Sequence, residues 1–189
     1  MNGIKVGYAL TGSFCTFEKT LKQMESLKDR YNIIPIMSET AFSTDTRFGK
    51  AKDIQKRVED ITGNKILHTV VDTEPLGPKR MVDMLLVAPC TGNTAAKIAL
   101  GITDTSATMA VKSCLRINIP VIITLATNDG LSAAAQNFGK LLTRKNIYFT
   151  PLRQDDYVNK PTSLVADFDK IEETLNAAKE GKQLQPILL

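Results

Sequence analysis

Histidine is almost missing from this chain of 189 residues, which has one, and cysteine is scarce, at three. Cys15, Cys90 and Cys114 lie far apart without a CxxC pair, so neither a disulfide framework nor a metal site is expected, and a reducing compartment fits. Charge of one sign is nowhere concentrated: 24 basic and 20 acidic residues occur in mixed runs and leave a formal charge of +4. No aromatic residues interleave with the basic ones, which argues against a nucleic-acid partner, while the small positive excess favours an anionic small ligand. No apolar stretch approaches the roughly 20 residues of a membrane span. The N-terminus enters a strand-like run without a charged leader and cleavage site, so a soluble, non-exported, cytoplasmic protein is expected. A GxGxxG fingerprint is also absent, only Gly7 and Gly12 standing near the first strand, which disfavours a nicotinamide dinucleotide.

What the chain does have is strands alternating with helices. With 43% hydrophobic residues it can bury one substantial core, and a single domain over residues 1–189 is expected, with a tail from about 181. Ile4 to Leu10 reads as a strand closed by Thr11, Gly12 and Ser13. Phe14, Phe17, Leu21, Met24 and Leu27 then recur at helical spacing. Further strands are expected at Ile33 to Met37, Ile66 to Val71, Met81 to Val87, Ile119 to Leu125 and Ile147 to Leu152. Helices are expected at Ala51 to Ile61, Gly92 to Leu100, Ser106 to Arg116, Leu131 to Leu142 and Ala166 to Glu180, the last stopped by Gly181. Glu39 to Lys50 reads as a long loop, a length that favours a ligand role. The pattern predicts a doubly wound, three-layer α/β fold of the Rossmann-like or flavodoxin-like kind with a mostly parallel sheet. The two most apolar runs, Met81 to Val87 and Ile119 to Leu125, are placed in its centre, flanking the switch point.

Four strand ends carry one kind of chemistry. Thr11, Gly12 and Ser13 follow the first strand, Ser38 the second, Cys90 to Thr94 the fourth, and Thr127 and Asn128 the fifth. In a parallel sheet these ends share an edge, where free N–H groups and short hydroxyl or amide side chains hold phosphorylated ligands. Any one such turn is as well explained by a Ser, Thr or Asn capping a helix, worth about 1 kcal/mol. Four together point to a ligand. Glu39 reads as a solvated carboxylate rather than a ribose partner, and Cys90 as a packed thiol rather than a redox group.

The run Pro89-Cys90-Thr91-Gly92-Asn93-Thr94, continued by Lys97, Ala99, Gly101 and Asp104, resembles the PxxxNTxxKxAxGxxD motif of the flavoprotein family, which includes flavin-dependent cysteine decarboxylases and flavin prenyltransferases. The resemblance implies flavin mononucleotide (FMN) as cofactor. The candidate cofactor-binding residues are Thr11, Gly12, Ser13, Ser38, Pro89, Cys90, Thr91, Asn93, Thr94, Thr127 and Asn128, with Asn128 the candidate catalytic group. Where the decarboxylases have Pro-x-Met-Asn this chain has Leu125-Ala126-Thr127-Asn128. Pro75 to Lys79 lacks their histidine, and Arg153-Gln154-Asp155 replaces their cysteine segment, so cysteine decarboxylation is not expected. The lone His68 reads as structural.

One branch of the family is matched more closely. Ser43 to Gly49, Glu74 to Lys79, Thr127 to Asp129, Arg144 to Pro151, Gln154-Asp155 and Gly181 to Pro186 resemble the flavoprotein subunits of dipicolinate synthases, and the match covers almost the whole chain. It implies a part in making pyridine-2,6-dicarboxylate in the mother cell of a spore-forming bacterium, beside a dehydrogenase-like A subunit, and implies homo-oligomers. A dicarboxylate substrate calls for cations, and Arg47, Arg153 and Lys79 are the candidates. The alternatives are a non-catalytic subunit that organises the A chain and a prenyltransferase- or decarboxylase-like enzyme.

Overall fold

Parallel strands need crossovers long enough to hold a helix. Residues 3–189, the part described by this computed structural model, supply them in turn. β1 (Lys5–Leu10) pairs in parallel with β2 (Asn32–Met37) on one side and β3 (Met84–Cys90) on the other, and β3 pairs in parallel with β4 (Val121–Thr127). Beyond β4 the sheet divides. β5 (Ile147–Phe149) runs parallel to its first half, while β7 (Leu164–Ala166) lies antiparallel to Ala126 and Thr127, with β6 (Leu152–Arg153) outside it. The result is a seven-stranded, mostly parallel sheet.

Successive residues of a strand point to opposite faces, so a strand with helices on both sides must be apolar throughout. All seven residues of β3 are buried. Leu86, with Tyr8, Leu10 and Ile122, meets α1 (Phe17–Leu27), α3 (Ala51–Thr62) and α8 (Ile171–Lys179) through Leu21, Met24, Val58, Ile171 and Leu175. Leu85 and Val87, with Ala9 and Ile123, meet α5 (Gly92–Leu100), α6 (Ser106–Leu115) and α7 (Ala135–Leu142) through Ile98, Val111 and Leu141. Each large side chain buried in these two layers contributes roughly 1.5–3 kcal/mol.

Several expectations need correction. The strand expected at Ile66 to Val71 is one bridge between Leu67 and Ile36, followed by a helix, α4 (Val70–Thr73). Thr69 and Asp72 cap it reciprocally, each side chain accepting from the other's N–H, and that closed cap outweighs the β-branched residues around it. His68 stands just before this cap with its ring stacked on Phe42, 3.9 Å between centroids. The loop from Glu39 begins as a helix, α2 (Glu39–Ser43), capped by Ser38. β3 starts and ends three residues later than expected, so Pro89 and Cys90 belong to the strand; α7 and α8 start later too, Ala166 ending β7 and Phe168–Lys170 forming a 3-10 turn before α8. The strand order reverses between β1 and β3, not between β3 and β4 as expected, and this is where an open sheet of the order 2-1-3-4 has its switch point. Residues 187–189 lie along β6, with Leu152 N–H donating to Ile187 O and Leu189 N–H to Leu152 O.

Candidate functional site

At the switch point one buried hydroxyl joins two strand ends. Thr11 Oγ1 donates to Pro89 O at 2.8 Å and accepts from Thr91 N–H at 3.0 Å, and Thr11 N–H also reaches Pro89 O. With its hydroxyl proton and N–H both spent, Thr11 has no donor left for a ligand and acts to position the crevice. Thr91 then caps α5: its Oγ1 accepts from Thr94 N–H at 3.1 Å and bonds Thr94 Oγ1 at 2.9 Å. The N–H groups of Gly92 and Asn93 remain free of the acceptors found among the described residues, at the positive end of a nine-residue helix.

That end is already approached by a carboxylate. A Cβ on Gly92 would lie 2.5 Å from Thr127 Oγ1 and 3.0 Å from Asp129 Oδ1, so only glycine lets the turn after β4 come this close. Thr127 Oγ1 donates to Asp129 Oδ1, and Asp129 O accepts from the N–H groups of Ser132 and Ala134. Sequence reasoning missed Asp129, though a Thr-x-Asp turn facing a helix-opening glycine was there to be read. Its neighbour Asn128 is exposed, and the backbone carbonyl of Asn128 accepts from Thr162 Oγ1 at 2.7 Å.

The other wall is formed by β1 and β2. Ser13 N–H turns back to Thr11 O at 2.7 Å, and the Ser13 hydroxyl has only Cys15 Sγ near it, at 3.9 Å. Ser38 follows the last register pair of the two strands, Leu10 and Met37, with its N–H bonded to Leu10 O and its hydroxyl accepting from Ala41 N–H at 3.3 Å, its own proton uncommitted. Around Gly12 there is room: a Cβ would make only ordinary contacts, 3.7 Å from Phe14 and from Thr40. Thr11, Gly12, Ser13, Ser38, Pro89, Thr91, Asn93, Thr94, Thr127 and Asn128 therefore share the carboxyl edge of the sheet. The donors left available there include the hydroxyls of Ser13 and Ser38, the backbone N–H groups of Gly92 and Asn93 and the side-chain amides of Asn93 and Asn128, a set that suits a phosphate and the edge of a heteroaromatic ring.

Other expected site residues are placed differently. Cys90 turns into the core between β3 and α5, and burial pushes its thiol up to about 12, so it does not face the crevice. Glu39 is exposed, as expected, but its carboxylate is also engaged: Oε1 accepts from Ser106 N–H at 3.0 Å, at the start of α6. Lys79 lies at the opposite edge, in the turn before β3 where Asp83 N–H bonds Lys5 O at the start of β1, and so cannot join the other candidates in this chain. Arg153 is on the carboxyl side but is committed to Asp167 Oδ2 at 2.7 Å. Arg47 is exposed, its guanidinium over the Phe48 ring at 4.8 Å and without a carboxylate partner among the described residues.

The residues 1–177 match a family model described as Flavoprotein. The chain belongs to the flavoprotein family. This flavoprotein is 40% identical over 190 aligned positions to the B subunit of dipicolinate synthase from Bacillus subtilis (strain 168), covering 100% of this chain and 95% of that one. Its fold superposes on the crystal structure of the dipicolinate synthase B subunit from Bacillus halodurans C with a TM-score of 0.91 at 40% identity, covering 100% and 98% of the two chains. The FMN-dependent cysteine decarboxylase SpaF shares the fold of this flavoprotein, with a TM-score of 0.69 at 20% identity over 94% and 98% of the chains. No helix among the described residues is long and apolar enough to cross a membrane.

Proposed function

We propose that this flavoprotein is the FMN-binding subunit of a dipicolinate synthase, acting with an A subunit in the cytoplasm of the sporulating mother cell. The observation that carries the reading is the 40% identity over the whole chain to the dipicolinate synthase B subunit. The donor set at the switch point supports it. Because Asp129 sits beside the amino end of α5, a second anion is disfavoured there by like-charge repulsion. The phosphate of FMN is therefore assigned to the Gly12, Ser13 and Ser38 side, where both hydroxyls have a proton to give. Asn93 and Asn128 then fall to the ring and the substrate. FMN supplies a hydride acceptor, which aromatisation of a dihydropyridine dicarboxylate needs along with loss of a proton to solvent.

In this reading Thr11 and Thr91 keep the crevice in shape, Asn128 orients the reacting ring, and Arg47 offers a bidentate fork to one substrate carboxylate. A neighbouring copy of the chain completes the substrate side, in a homo-oligomer. The test is an absorbance spectrum and cofactor extraction on the purified protein, before and after adding FMN, followed by anaerobic mixing with the dihydropyridine. Bound flavin that bleaches supports the assignment. A flavin spectrum unchanged with substrate bound would overturn hydride transfer, and failure to bind FMN even with the A subunit present would leave an organising role for this chain. Arg47→Ala is expected to weaken binding of pyridine-2,6-dicarboxylate while leaving FMN bound, and equal affinity would remove Arg47 from the site.

A further inference from the structure

At the far end of α5 from the crevice, an open cleft of about 530 Å³ is lined by Ile98, Ile102, Val111 and Leu115 and rimmed by Lys112, Arg116, Arg144 and Lys145. Its lining includes no aspartate or glutamate. The walls are pinned: Arg144 Nη1 donates to Ile98 O at 2.9 Å, and Asn146 Nδ2 to Asn118 Oδ1 at 3.0 Å. Lys112 and Lys145 have no carboxylate within ion-pair distance among the described residues, and Arg116 has only a long contact of 3.8 Å to Glu74.

Cations often gather at helix C-termini, and α5, α6 and α7 all end near this cleft. Each end carries roughly half a negative charge, so three of them offset only about 1.5 of the four positive charges. Allowing Glu74 a full charge still leaves roughly one to two positive charges over an apolar floor. The volume lies within the usual range for small-molecule sites, and an apolar floor with a few convergent charges is what such sites present.

We propose that this cleft is a second ligand site, taking a small amphipathic carboxylate with an apolar body and one or two acidic groups. It is separated from the crevice by the length of α5, about 13 Å. The ligand lays its apolar body on Ile98, Ile102 and Val111 and offers its carboxylates to Lys112 on α6 and Lys145 in the turn between α7 and β5. The proposal does not depend on the flavin reading, since none of these residues belongs to the crevice.

The probe is 8-anilinonaphthalene-1-sulfonate, an anionic aromatic that fluoresces when bound, titrated with FMN in excess so that the crevice does not contribute. Saturable binding is expected that benzoate or pyridine-2,6-dicarboxylate displaces. Lys112→Glu with Lys145→Glu should weaken it about tenfold or more, while the uncharged probe N-phenyl-1-naphthylamine is unaffected. Ile102→Asp, at a position already 43% exposed, should weaken both probes. Equal affinity in the charge-reversed variant would overturn the proposal, as would displacement by inorganic phosphate as effective as by benzoate. A change of assembly mass in these variants would show the cleft to be an interface between chains and would overturn it equally.

Discussion

Removing one hydroxyl should loosen the junction on which the whole crevice rests. Thr11 is 1% exposed, and its Oγ1 both donates to Pro89 O and accepts from Thr91 N–H. Thr11→Val keeps the shape and deletes the hydroxyl. Pro89 O retains a bond from Thr11 N–H at 3.2 Å, so the larger loss is the Thr91 N–H, left without its acceptor. A buried donor left unsatisfied costs about 1–3 kcal/mol. Taking about 2 kcal/mol, and about 2–4 °C per kcal/mol for a chain of this size, the melting temperature should fall by about 4–8 °C. Thr11→Ser keeps both hydrogen bonds and loses one methyl group, which costs about 1 kcal/mol. Urea unfolding at fixed protein concentration, with an unchanged m-value, measures both variants. FMN titration should show valine weakening the flavin more than serine, because Thr91 no longer holds the start of α5. A valine variant as stable as the parent, or a serine variant as damaged as valine, would refute the reasoning.

Gly92→Ala places a methyl group where Thr127 and Asp129 now stand, and should cost about tenfold or more in FMN affinity by shifting the turn after β4. Fluorescence titration checks this, and unchanged affinity would mean the close approach serves no ligand. Asp72 has its carboxyl held below the usual range, first by the Thr69 hydroxyl hydrogen bond. The stability it contributes is therefore complete above its unfolded pKa of about 4 and is lost as pH falls through the lower folded value. Asp72→Asn should destabilise at neutral pH, with the difference from the parent shrinking in urea melts as pH falls below the unfolded value of about 4. Of the three thiols, Cys90 and Cys114 are buried and pushed up to about 12, while Cys15 is exposed beside Ser13. A disulfide reagent should thus titrate one thiol in the native protein, three in denaturant, and react more slowly with Cys15 once FMN is bound.

The alternation of apolar runs with helical spacing is enough to read the layers and the mostly parallel sheet, because that pattern is imposed by burial on both faces. The polar turns after β1, β2, β3 and β4 are equally legible, since turn chemistry is local. Distance along the chain hides the rest. Ile66 to Val71 reads as a strand by composition, but the cap made by Thr69 and Asp72 starts a helix there instead. Lys79 reads as a carboxylate partner until the topology puts it at the amino ends of the strands. Arg153 and Glu39 find partners 14 and 67 residues away, in Asp167 and Ser106, which no spacing rule anticipates. The antiparallel β7 merges with the helix expected after it because its three residues carry too little pattern.

The bridge made by Leu67 has a consequence for how copies of this chain can meet. On the outer side of β2 the backbone groups that would accept a new strand are nearly all in use. Ile33 O takes Asn64 Nδ2, Pro35 has no N–H and its O takes Leu67 N–H, Met37 N–H goes to Leu67 O, and Met37 O takes the Ser106 hydroxyl. A border so occupied offers no template for strand addition. Joining two such sheets edge to edge into a cross-β ribbon would first require peeling residues 64–67 away. On the β2 side, any contact between two copies would therefore be made through helices and loops rather than by strand addition.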